Sequence, residues 1–196
     1  WYCVHEETYY AESDLEKNED GQLVCPDCKR PVQKAGGEEN WFFKLSEFGD
    51  KLLEFYEENP DFICPETRKN EIVSFVKSGL KDLSISRSTF DWGVPLPFDE
   101  GHVAYVWADA LLAYLTGIRY GDEGERAGEF ERRWPMQYHF VGKDITRFHC
   151  VIWPAMLMAA GMPITHTVFG HGFLLTKGEK MSKSKGNALK PADLCK

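Results

Sequence analysis

The stretch YHFVGKDITRFHC, residues 138–150, decides the fold of this chain. Its first four residues are mostly aromatic or branched, which predicts a short buried strand that ends at Gly142. Residues 145–160 predict a helix that is kinked or restarted at Pro154, because proline lacks the backbone N–H that a helix interior needs. A strand that leads through a glycine into a helix is typical of α/β sheets with parallel strands.

The segments on either side of this stretch also alternate between strands and helices. Residues 103–107 are apolar and β-branched and predict a strand, whereas the small and apolar residues 108–115 predict a helix. Toward the carboxyl end, residues 167–169 and 173–176 predict two strands around a Gly-His-Gly turn. The predicted fold class is therefore α/β, with a doubly wound, Rossmann-like parallel sheet that binds its ligand beyond the carboxyl ends of its strands.

The first part of the chain has a different character. Residues 1–43 are polar and irregular and predict a small, loop-rich lobe. Apolar residues three and four positions apart then predict an amphipathic helix over residues 42–58. A second helix is expected over residues 69–76, and residues 83–87 alternate in the way that a strand does.

The composition is that of a folded globular protein. The chain has 196 residues, of which 43% are hydrophobic and 28% charged, and these values argue against disorder. With 31 acidic and 23 basic residues the net charge is −8, which disfavours nucleic-acid binding through bulk charge alone. Residues 176–196 carry six lysines against two acidic residues, a net charge of +4, so the remainder carries −12. A basic segment on an acidic body predicts a local anion site.

The sequence contains no signal for export or membrane insertion. No basic segment followed by an apolar run lies near Trp1, so no signal peptide is visible. The longest stretch without charged residues, 148–176, holds two prolines and several glycines and does not resemble a membrane span. Six cysteines are too few for a disulfide scaffold, and a reduced, cytoplasmic protein is expected. The start at Trp1 and the end at Lys196 suggest a piece of a longer protein.

One cysteine motif in the lobe predicts a metal site. Cys25-Pro-Asp-Cys28 has the spacing of half a zinc knuckle, and a structural zinc site usually needs two such pairs. The partner pair is expected near Cys3, but the residue three positions later is Glu6. Either Glu6 or the adjacent His5 completes the set, or Cys64 substitutes, or the lobe has lost its metal. The expected ligands of Zn²⁺ are thus Cys3, Glu6, Cys25 and Cys28.

The most informative segment of the basic tail is Lys180-Met-Ser-Lys183-Ser. One interpretation is a solvated basic loop, because short strings of lysine and serine are common. The other is a mobile anion clamp, in which two lysines converge on one polyphosphate and small serines let the backbone approach it. Gly178 and Gly186 would then serve as hinges. Composition alone leaves both interpretations open.

This segment resembles the KMSKS signature of class I aminoacyl-tRNA synthetases. Four further blocks resemble the methionyl-tRNA synthetase family in order and spacing, and the resemblance covers essentially the whole chain. These blocks are YVWADA (105–110), HFVGKDI (139–145), FH (148–149) and GHGF (170–173). KMSKS alone would also fit leucyl, isoleucyl or valyl enzymes, so the choice of the methionyl family rests on the other blocks.

The resemblance implies an organisation of the chain. Residues 1–83 correspond to a connective insertion, which comprises the knuckle-like lobe 1–43 and helices. Residues 84–169 correspond to the second half of the nucleotide-binding catalytic domain, and 170–196 to the KMSKS segment. The family's HIGH signature is absent from the sequence and is expected in a first half that precedes Trp1. The chain alone is therefore expected to be inactive.

Five residues form a candidate amino-acid pocket. Trp107, Ala110 and Tyr114 are spaced i, i+3 and i+7 and share one face if they are helical, while Ile145 and His149 are spaced i, i+4. Ordinary core packing would also explain such a stripe. The resemblance implies that all five line a methionine pocket. A polarizable thioether gains from aromatic walls, and His149 would meet either the sulfur or a tyrosine hydroxyl.

The candidate nucleotide site follows the strand at Gly142, where a doubly wound sheet binds its ligand. Gly142 allows close backbone approach, and the Asp144 carboxylate either accepts hydrogen bonds from ribose or caps the helix. The resemblance also brings the Gly-His-Gly turn against the nucleotide, with Phe173 near the adenine. The residues it implies for ATP binding are Gly142, Lys143, Asp144, His171, Gly172, Leu174 and Lys183.

The reaction implied by the resemblance is ATP-dependent activation of methionine and its transfer to tRNA(Met), with Mg²⁺ accompanying ATP. Such a reaction needs no side-chain nucleophile, and Lys180 and Lys183 are the catalytic candidates because they would stabilise phosphate charge.

Arg87 corresponds to the family's return strand, and it either contacts the lysine loop or is a surface residue. The alternatives are another class I synthetase for an aliphatic amino acid, or a zinc-ribbon-type binding module.

Overall fold

The structure is a computed structural model that describes residues 1–6, 8–10, 12–34, 39–89, 91–124, 126–176, 178–181, 186–189, 192 and 195. Residue contacts divide the chain into two units. The first consists of Trp1–Trp41 and Ser86–Val103, and the second of Phe42–Ile85 and Ala104–Lys196. Within the described residues, no helix has both the length and the apolarity needed to cross a membrane. The division at residues 83 and 169 into family domains stays a prediction.

Most of the helices and strands are short. In chain order they are β1 (Tyr2–Cys3), β2 (Thr8–Tyr9), β3 (Glu16–Lys17), β4 (Leu23–Val24), β5 (Phe42–Phe43), α1 (Gly49–Glu58), β6 (Ile63–Cys64), α2 (Glu66–Lys77), β7 (Leu83–Ser84), β8 (Ser86–Arg87), β9 (Pro95–Leu96), β10 (Asp99–Ala104), α3 (Val106–Thr116), α4 (Glu129–Arg133), β11 (Tyr138–Gly142), α5 (Trp153–Ala159), β12 (Thr167–His171), β13 (Leu175–Thr176) and β14 (Glu179–Lys180).

The first unit is built from small antiparallel ladders. β1 pairs with β2, β3 pairs with β4, and β8, β10 and β9 form a three-stranded sheet in that order. Its core is small, with Cys3, Cys25 and Val32 buried together. This agrees with the loop-rich lobe that the sequence predicts over its first 43 residues.

The second unit contains the parallel sheet that the sequence predicts. β11, β12 and β6 lie in that order and all run parallel, so the fold class is α/β. The helices α1 and α2 pack with this sheet around a core in which Leu52, Phe62 and Ile72 are fully buried. The hydroxyl of Tyr56 donates to the backbone oxygen of Cys150 at 2.6 Å, which satisfies a polar group inside this core.

The predicted helix over residues 42–58 is wrong in its first third. Phe42–Phe43 is the strand β5, paired antiparallel with β7, and a 3-10 turn over Leu45–Phe48 precedes α1. Phe43 and Phe48 stack with ring centroids 5.2 Å apart and pack against the core. Aromatic residues before and after the start of α1 continue the helical spacing, which is why the sequence predicts too long a helix. Pairing of β5 with β7 outweighs this local pattern.

The segment 103–115 has the predicted order of strand and helix, but the boundary lies earlier. α3 begins at Val106 because Tyr105 is extended and its backbone N–H donates to the oxygen of Ile85 at 2.8 Å. Trp107 is thus in the first turn of the helix rather than in the strand. As a result Trp107, Ala110 and Tyr114 do share one helical face.

The segment after β11 is helical from its first residue. A 3-10 turn over Lys143–Ile145 leads into a π-helical turn over Phe148–Ile152, and α5 continues from there. Pro154 lies in the first turn of α5, and the Trp153 N–H donates to Phe148 O, one residue farther back than in an α-helix. The expected irregularity is therefore a π turn before Pro154 rather than a break at it.

Candidate active site

The parallel pairing of β11 with β12 creates the edge on which the candidate nucleotide site lies. Gly142 is in register with His171, so the residues after each strand emerge side by side. A Cβ on Gly142 would lie 2.5 Å from Oδ1 of Asp144, so a larger residue there would require the Asp144 side chain to move. The Asp144 carboxylate is exposed and folds back over the end of β11. The glycine and the aspartate of the predicted Gly-Lys-Asp motif are thus both at the carboxyl edge of the sheet.

Asp144 does not cap the helix, so the capping alternative is wrong. The N-cap position is Gly142, in an extended conformation with φ −65° and ψ 150°, and no side chain bonds to the first turn there. Asp144 lies inside that turn, where a carboxylate interacts favourably with the helix dipole. Among the described residues none donates a hydrogen bond to its carboxylate. The side chain is available as an acceptor.

Phe173 connects the two parts of this edge. The ammonium nitrogen of Lys143 lies 4.7 Å from the centroid of its ring, and that of Lys180 lies 3.7 Å from it. Both cations are attracted to the negative face of the aromatic ring. Lys180 ends the hairpin of β13 and β14, whereas Lys183 lies outside the described residues. Two positive charges therefore meet beside the Gly-Lys-Asp motif.

The Gly-His-Gly turn after β12 is open to solvent. Nδ1 of His171 donates to the backbone oxygen of Gly172 at 2.6 Å, and both residues are exposed. A Cβ on Gly172 would meet nothing within 4 Å, so its neighbours in the structure do not require a glycine there. Leu174 is also exposed, and its backbone oxygen accepts from Met181 N at 2.8 Å. This hydrogen bond ties the end of the lysine hairpin to the edge.

The candidate amino-acid pocket is formed where α3 meets the helix after β11. The ring of Trp107 stacks on that of Phe148, with centroids 4.0 Å apart and planes inclined by 26°. Two helical turns further along the face, the Tyr114 hydroxyl lies 2.6 Å from Nε2 of His149. Ala110 lies between these two contacts along α3 and is exposed, so the face has free space at its centre.

His149 is a neutral hydrogen-bond acceptor in this arrangement. Its Nδ1 is 2.9 Å from the backbone oxygen of Ile145, so the proton belongs on Nδ1 and Nε2 accepts from Tyr114. Burial lowers the pKa of His149, and the hydrogen bond to Ile145 offsets only part of this. The Ile145 side chain is half-buried and packs against the core of the second unit.

A second histidine lies behind this pair. His139 is on the inward face of β11 and only 4% exposed, with its ring centroid 4.3 Å from that of Tyr114 and 5.5 Å from that of His149. Burial lowers its pKa to about 4, and charge on His149 would lower it as well. His139 is therefore neutral at neutral pH.

The sequence pattern does not single out His139 or Phe148 as site residues. The position of His139 carries a signal, because alternation along β11 assigns it to the buried face, where a polar residue is unusual. Phe148 carries no such signal, since its contact with Trp107 depends on the packing of two helices.

In the first unit the three predicted thiols lie together. The sulfur atoms of Cys3, Cys25 and Cys28 are all within 4.8 Å of one another, and those of Cys3 and Cys28 are 3.5 Å apart. Side-chain atoms of His5 and Glu6 are equally close to the sulfur of Cys28. Three thiols with a neighbouring imidazole and carboxylate fit the ligand preferences of Zn²⁺.

The electronic environment of Cys25 also suits a metal ligand. Burial by itself would raise the pKa of this thiol, but its hydrogen bonds, with the backbone of Cys28 foremost, bring the pKa down to about 7. The Cys25 sulfur lies 3.4 Å from the Tyr10 hydroxyl, which in turn donates to Asp27. A thiolate is the form of cysteine that binds a metal.

Arg87 is not a surface residue, so that alternative is wrong. It is only 2% exposed, and its guanidinium lies 4.9 Å from the ring centroid of Tyr9. One of its N–H groups donates to the backbone oxygen of Ser86 at 2.7 Å. Within the first unit Arg87 thus stacks on an aromatic side chain and is held by its own strand.

Together these features define a Rossmann-like α/β fold, in which a parallel sheet has glycine, aspartate and lysines near its carboxyl edge. The chain matches the family described as "tRNA synthetases class I (M)" over residues 12–196. It therefore belongs to this family, the methionyl branch of the class I tRNA synthetases.

Individual relatives agree with this assignment. The chain is 55% identical to a methionine–tRNA ligase of Caldanaerobacter subterraneus subsp. tengcongensis and 54% identical to one of Brucella suis, each over 99% of its length. It covers 29% and 37% of those two proteins. The fold is similar to Mycobacterium tuberculosis methionyl-tRNA synthetase in complex with methionyl-adenylate, with a TM-score of 0.83 and 50% identity. That match covers all of this chain and 38% of the other.

The buried, neutral state of His139 predicts that stability falls in mild acid. In the unfolded chain this residue titrates near 6.5, and in the folded chain near 4, so between these values the unfolded state binds more protons. The contribution of His139 to the free energy of unfolding is therefore complete above pH 6.5, and it is lost as the pH falls toward 4. We expect His139 alone to lower the free energy of unfolding by about 2 kcal/mol between pH 7.5 and pH 5.

Urea unfolding of the chain and of His139→Leu at the two pH values measures this contribution. The substituted chain should lose less stability, by the amount that His139 contributes. The carboxylates are unchanged between the two chains, so their titration cancels in the comparison. Equal losses in both chains would contradict a neutral His139.

Proposed function

We propose that this chain carries part of the site at which a methionyl-tRNA synthetase activates methionine with ATP and passes it to tRNA(Met). The chain spans about a third of the length of the relatives it matches, so the activity belongs to the full-length protein. The observation that carries the proposal is the helical segment after β11. Asp144 lies in its first turn at the sheet edge, and His149 lies five residues later beside Tyr114. A nucleotide and an amino acid bound at these two points would be neighbours.

The chemical step requires the two substrates to be held in line. A carboxylate oxygen of methionine attacks the α-phosphorus of ATP, and the bond from that phosphorus to the bridging oxygen of the β-phosphate breaks. Pyrophosphate leaves with the electron pair of this bond, and methionyl-adenylate remains. The terminal ribose hydroxyl of tRNA then attacks the methionyl carbonyl, and AMP leaves. Positioning and charge stabilisation suffice for both steps.

The nucleotide would bind along the carboxyl edge. Asp144 would accept hydrogen bonds from the ribose, since its carboxylate is exposed and no described residue donates to it. The backbone at Gly142 and Gly172 allows close approach, and Lys143, His171 and Leu174 border the same edge. The proposal is supported by the similarity of the fold to that of Mycobacterium tuberculosis methionyl-tRNA synthetase in complex with methionyl-adenylate.

The lysines would stabilise the triphosphate as pyrophosphate departs. Lys180 is within reach of this edge because its ammonium group shares the Phe173 ring with Lys143. Lys183, three residues further on in the KMSKS segment, is the second catalytic candidate and lies outside the described residues. A lysine ammonium is a compact, mobile charge suited to a leaving phosphate. Mg²⁺ would accompany ATP and be held mainly by its phosphates.

The methionine side chain would lie on the face of α3 that carries Trp107, Ala110 and Tyr114. Trp107 offers an aromatic wall, Ala110 leaves room, and the Tyr114–His149 pair closes the far end. Ile145 would contribute an apolar side through its half-buried side chain. Shape alone discriminates by only ~1–3 kcal/mol per methylene, so the sulfur's contacts with aromatic rings add to the selection.

The lobe would bind one Zn²⁺ through Cys3, Cys25 and Cys28, with His5 or Glu6 as the fourth ligand. When bound, the metal would supply a structural cross-link to a lobe whose core is small. A zinc-ribbon-type binding module would account for this cluster but not for the sheet edge or the pocket face.

The same proposal includes the organisation of the chain and its location in the cell. Its connective insertion would be residues 1–83, its catalytic half-domain residues 84–169 and its KMSKS segment residues 170–196. The protein would work in the cytoplasm.

Enlarging Ala110 tests the amino-acid pocket. Ala110→Val in the full-length protein should raise the KM for methionine roughly tenfold or more in ATP–pyrophosphate exchange, with little change in the KM for ATP. The matched control is Leu112→Val, which introduces the same β-branched residue on the opposite, exposed face of α3. Equal effects on both substrates would remove Ala110 from the pocket.

Removing a KMSKS lysine tests the anion clamp. Lys183→Ala and Lys180→Ala should each slow adenylate formation by ~10²–10³-fold while methionine affinity stays nearly unchanged, because the lost charge acts on the phosphates. Lys51→Ala is the control, since this lysine of α1 also lies over an aromatic ring, 5.0 Å from the centroid of Phe48. An unchanged exchange rate in both KMSKS variants would refute the proposed role.

Metal analysis tests the zinc site. Protein purified without chelator should hold close to one equivalent of zinc, and Cys25→Ser should lose it, since three thiolates carry most of the affinity. Cys150→Ser is the matched control, because that cysteine is buried in the second unit. Less than about a tenth of an equivalent in the unsubstituted protein would decide against binding.

A further inference from the structure

His139 occupies a position that an apolar side chain would fill at lower cost. It alternates with the exposed Tyr138 and Phe140 along β11, and its register partner on β12 is the buried Val168. Its Nε2 is buried and has no hydrogen-bond partner among the described residues. An unpaired buried nitrogen lowers the stability of a fold, whereas a leucine at this position would leave no polar atom unsatisfied.

The surroundings of His139 indicate why a histidine is present here although its unpaired nitrogen lowers stability. Its imidazole lies against the ring of Tyr114 with planes inclined by 61°, an edge-to-face arrangement, and Tyr114 is the residue that donates to His149. The third ring, that of His149, is tilted by 59° from His139. Imidazole is the smallest planar ring among the aromatic side chains, so it can support Tyr114 where a six-membered ring would crowd the sheet.

We propose that His139 is a positioning residue for the amino-acid pocket, which holds the Tyr114 ring so that its hydroxyl donates to Nε2 of His149. The inference rests on the proposed function and deepens it, because it names a residue behind the pocket that governs selection of methionine. His139 acts only through Tyr114 and need not touch the substrate. The Nε2 atom of His139 is left without a hydrogen-bond partner among the described residues because the imidazole is there to support the Tyr114 ring.

Substrate kinetics and stability separate this role from a structural one. In the full-length protein, His139→Leu should raise the KM for methionine about five- to tenfold, the loss expected when one hydrogen bond is misdirected, with the KM for ATP unchanged. Its melting temperature should stay the same or rise. Val168→Ala, at the register partner, should lower the melting temperature and leave the ratio of the two KM values unchanged.

A double-mutant cycle with Tyr114→Phe tests the route of the effect. If His139 acts through the tyrosine hydroxyl, His139→Leu should raise the methionine KM no further once Tyr114 is phenylalanine. Additive effects, an unchanged methionine KM in His139→Leu, or failure of that variant to fold would each overturn the inference. If the unsubstituted full-length protein lacks methionine-dependent pyrophosphate exchange, the proposed function fails and this inference fails with it.

Discussion

The parallel register of β11 and β12 is the constraint on which the rest of the site depends. Because Gly142 pairs with His171, the residues that follow each strand leave the sheet at the same edge. Gly170 supports this pairing, since a Cβ there would lie 2.6 Å from the side chain of Thr146, in the helical segment after β11. A larger residue would force β12 away from that segment. The glycines near the edge therefore set the distance between two parts of the candidate nucleotide site.

The helical segment after β11 connects the nucleotide edge with the aromatic face of α3. Its π turn over Phe148–Ile152 coincides with the contacts to Trp107 and Tyr114, in keeping with the frequent occurrence of such turns at functional sites. Hydrogen bonds from Tyr114 and to Ile145 fix the neutral form of His149. The proposed pocket is therefore an arrangement of neutral rings, which would suit an uncharged thioether rather than a charged side chain.

Much of this could be predicted from the sequence where local pattern and long-range packing agree. Residues 138–150 predict a strand, a glycine and a helix, and the structure has all three. However, β11 is an edge strand of its sheet, and Tyr138 and Phe140 are exposed, so the prediction of a buried strand holds only for His139 and Val141. The pattern fails at Phe42–Phe43, where pairing with β7 outweighs helical periodicity. It also leaves the burial of Arg87 open, since this arginine is buried through a contact with Tyr9, which comes from a distant segment. His139 escapes notice because its ring neighbours, Tyr114 and His149, come from other segments of the chain.

The most direct measurement is a crystal structure of the full-length protein with a stable analogue of methionyl-adenylate. We expect the ribose hydroxyls within hydrogen-bond distance of the Asp144 carboxylate and the thioether between Trp107 and the Tyr114–His149 pair. An analogue bound away from the carboxyl edge of β11 and β12, or with its thioether outside the face of α3, would contradict the proposed site.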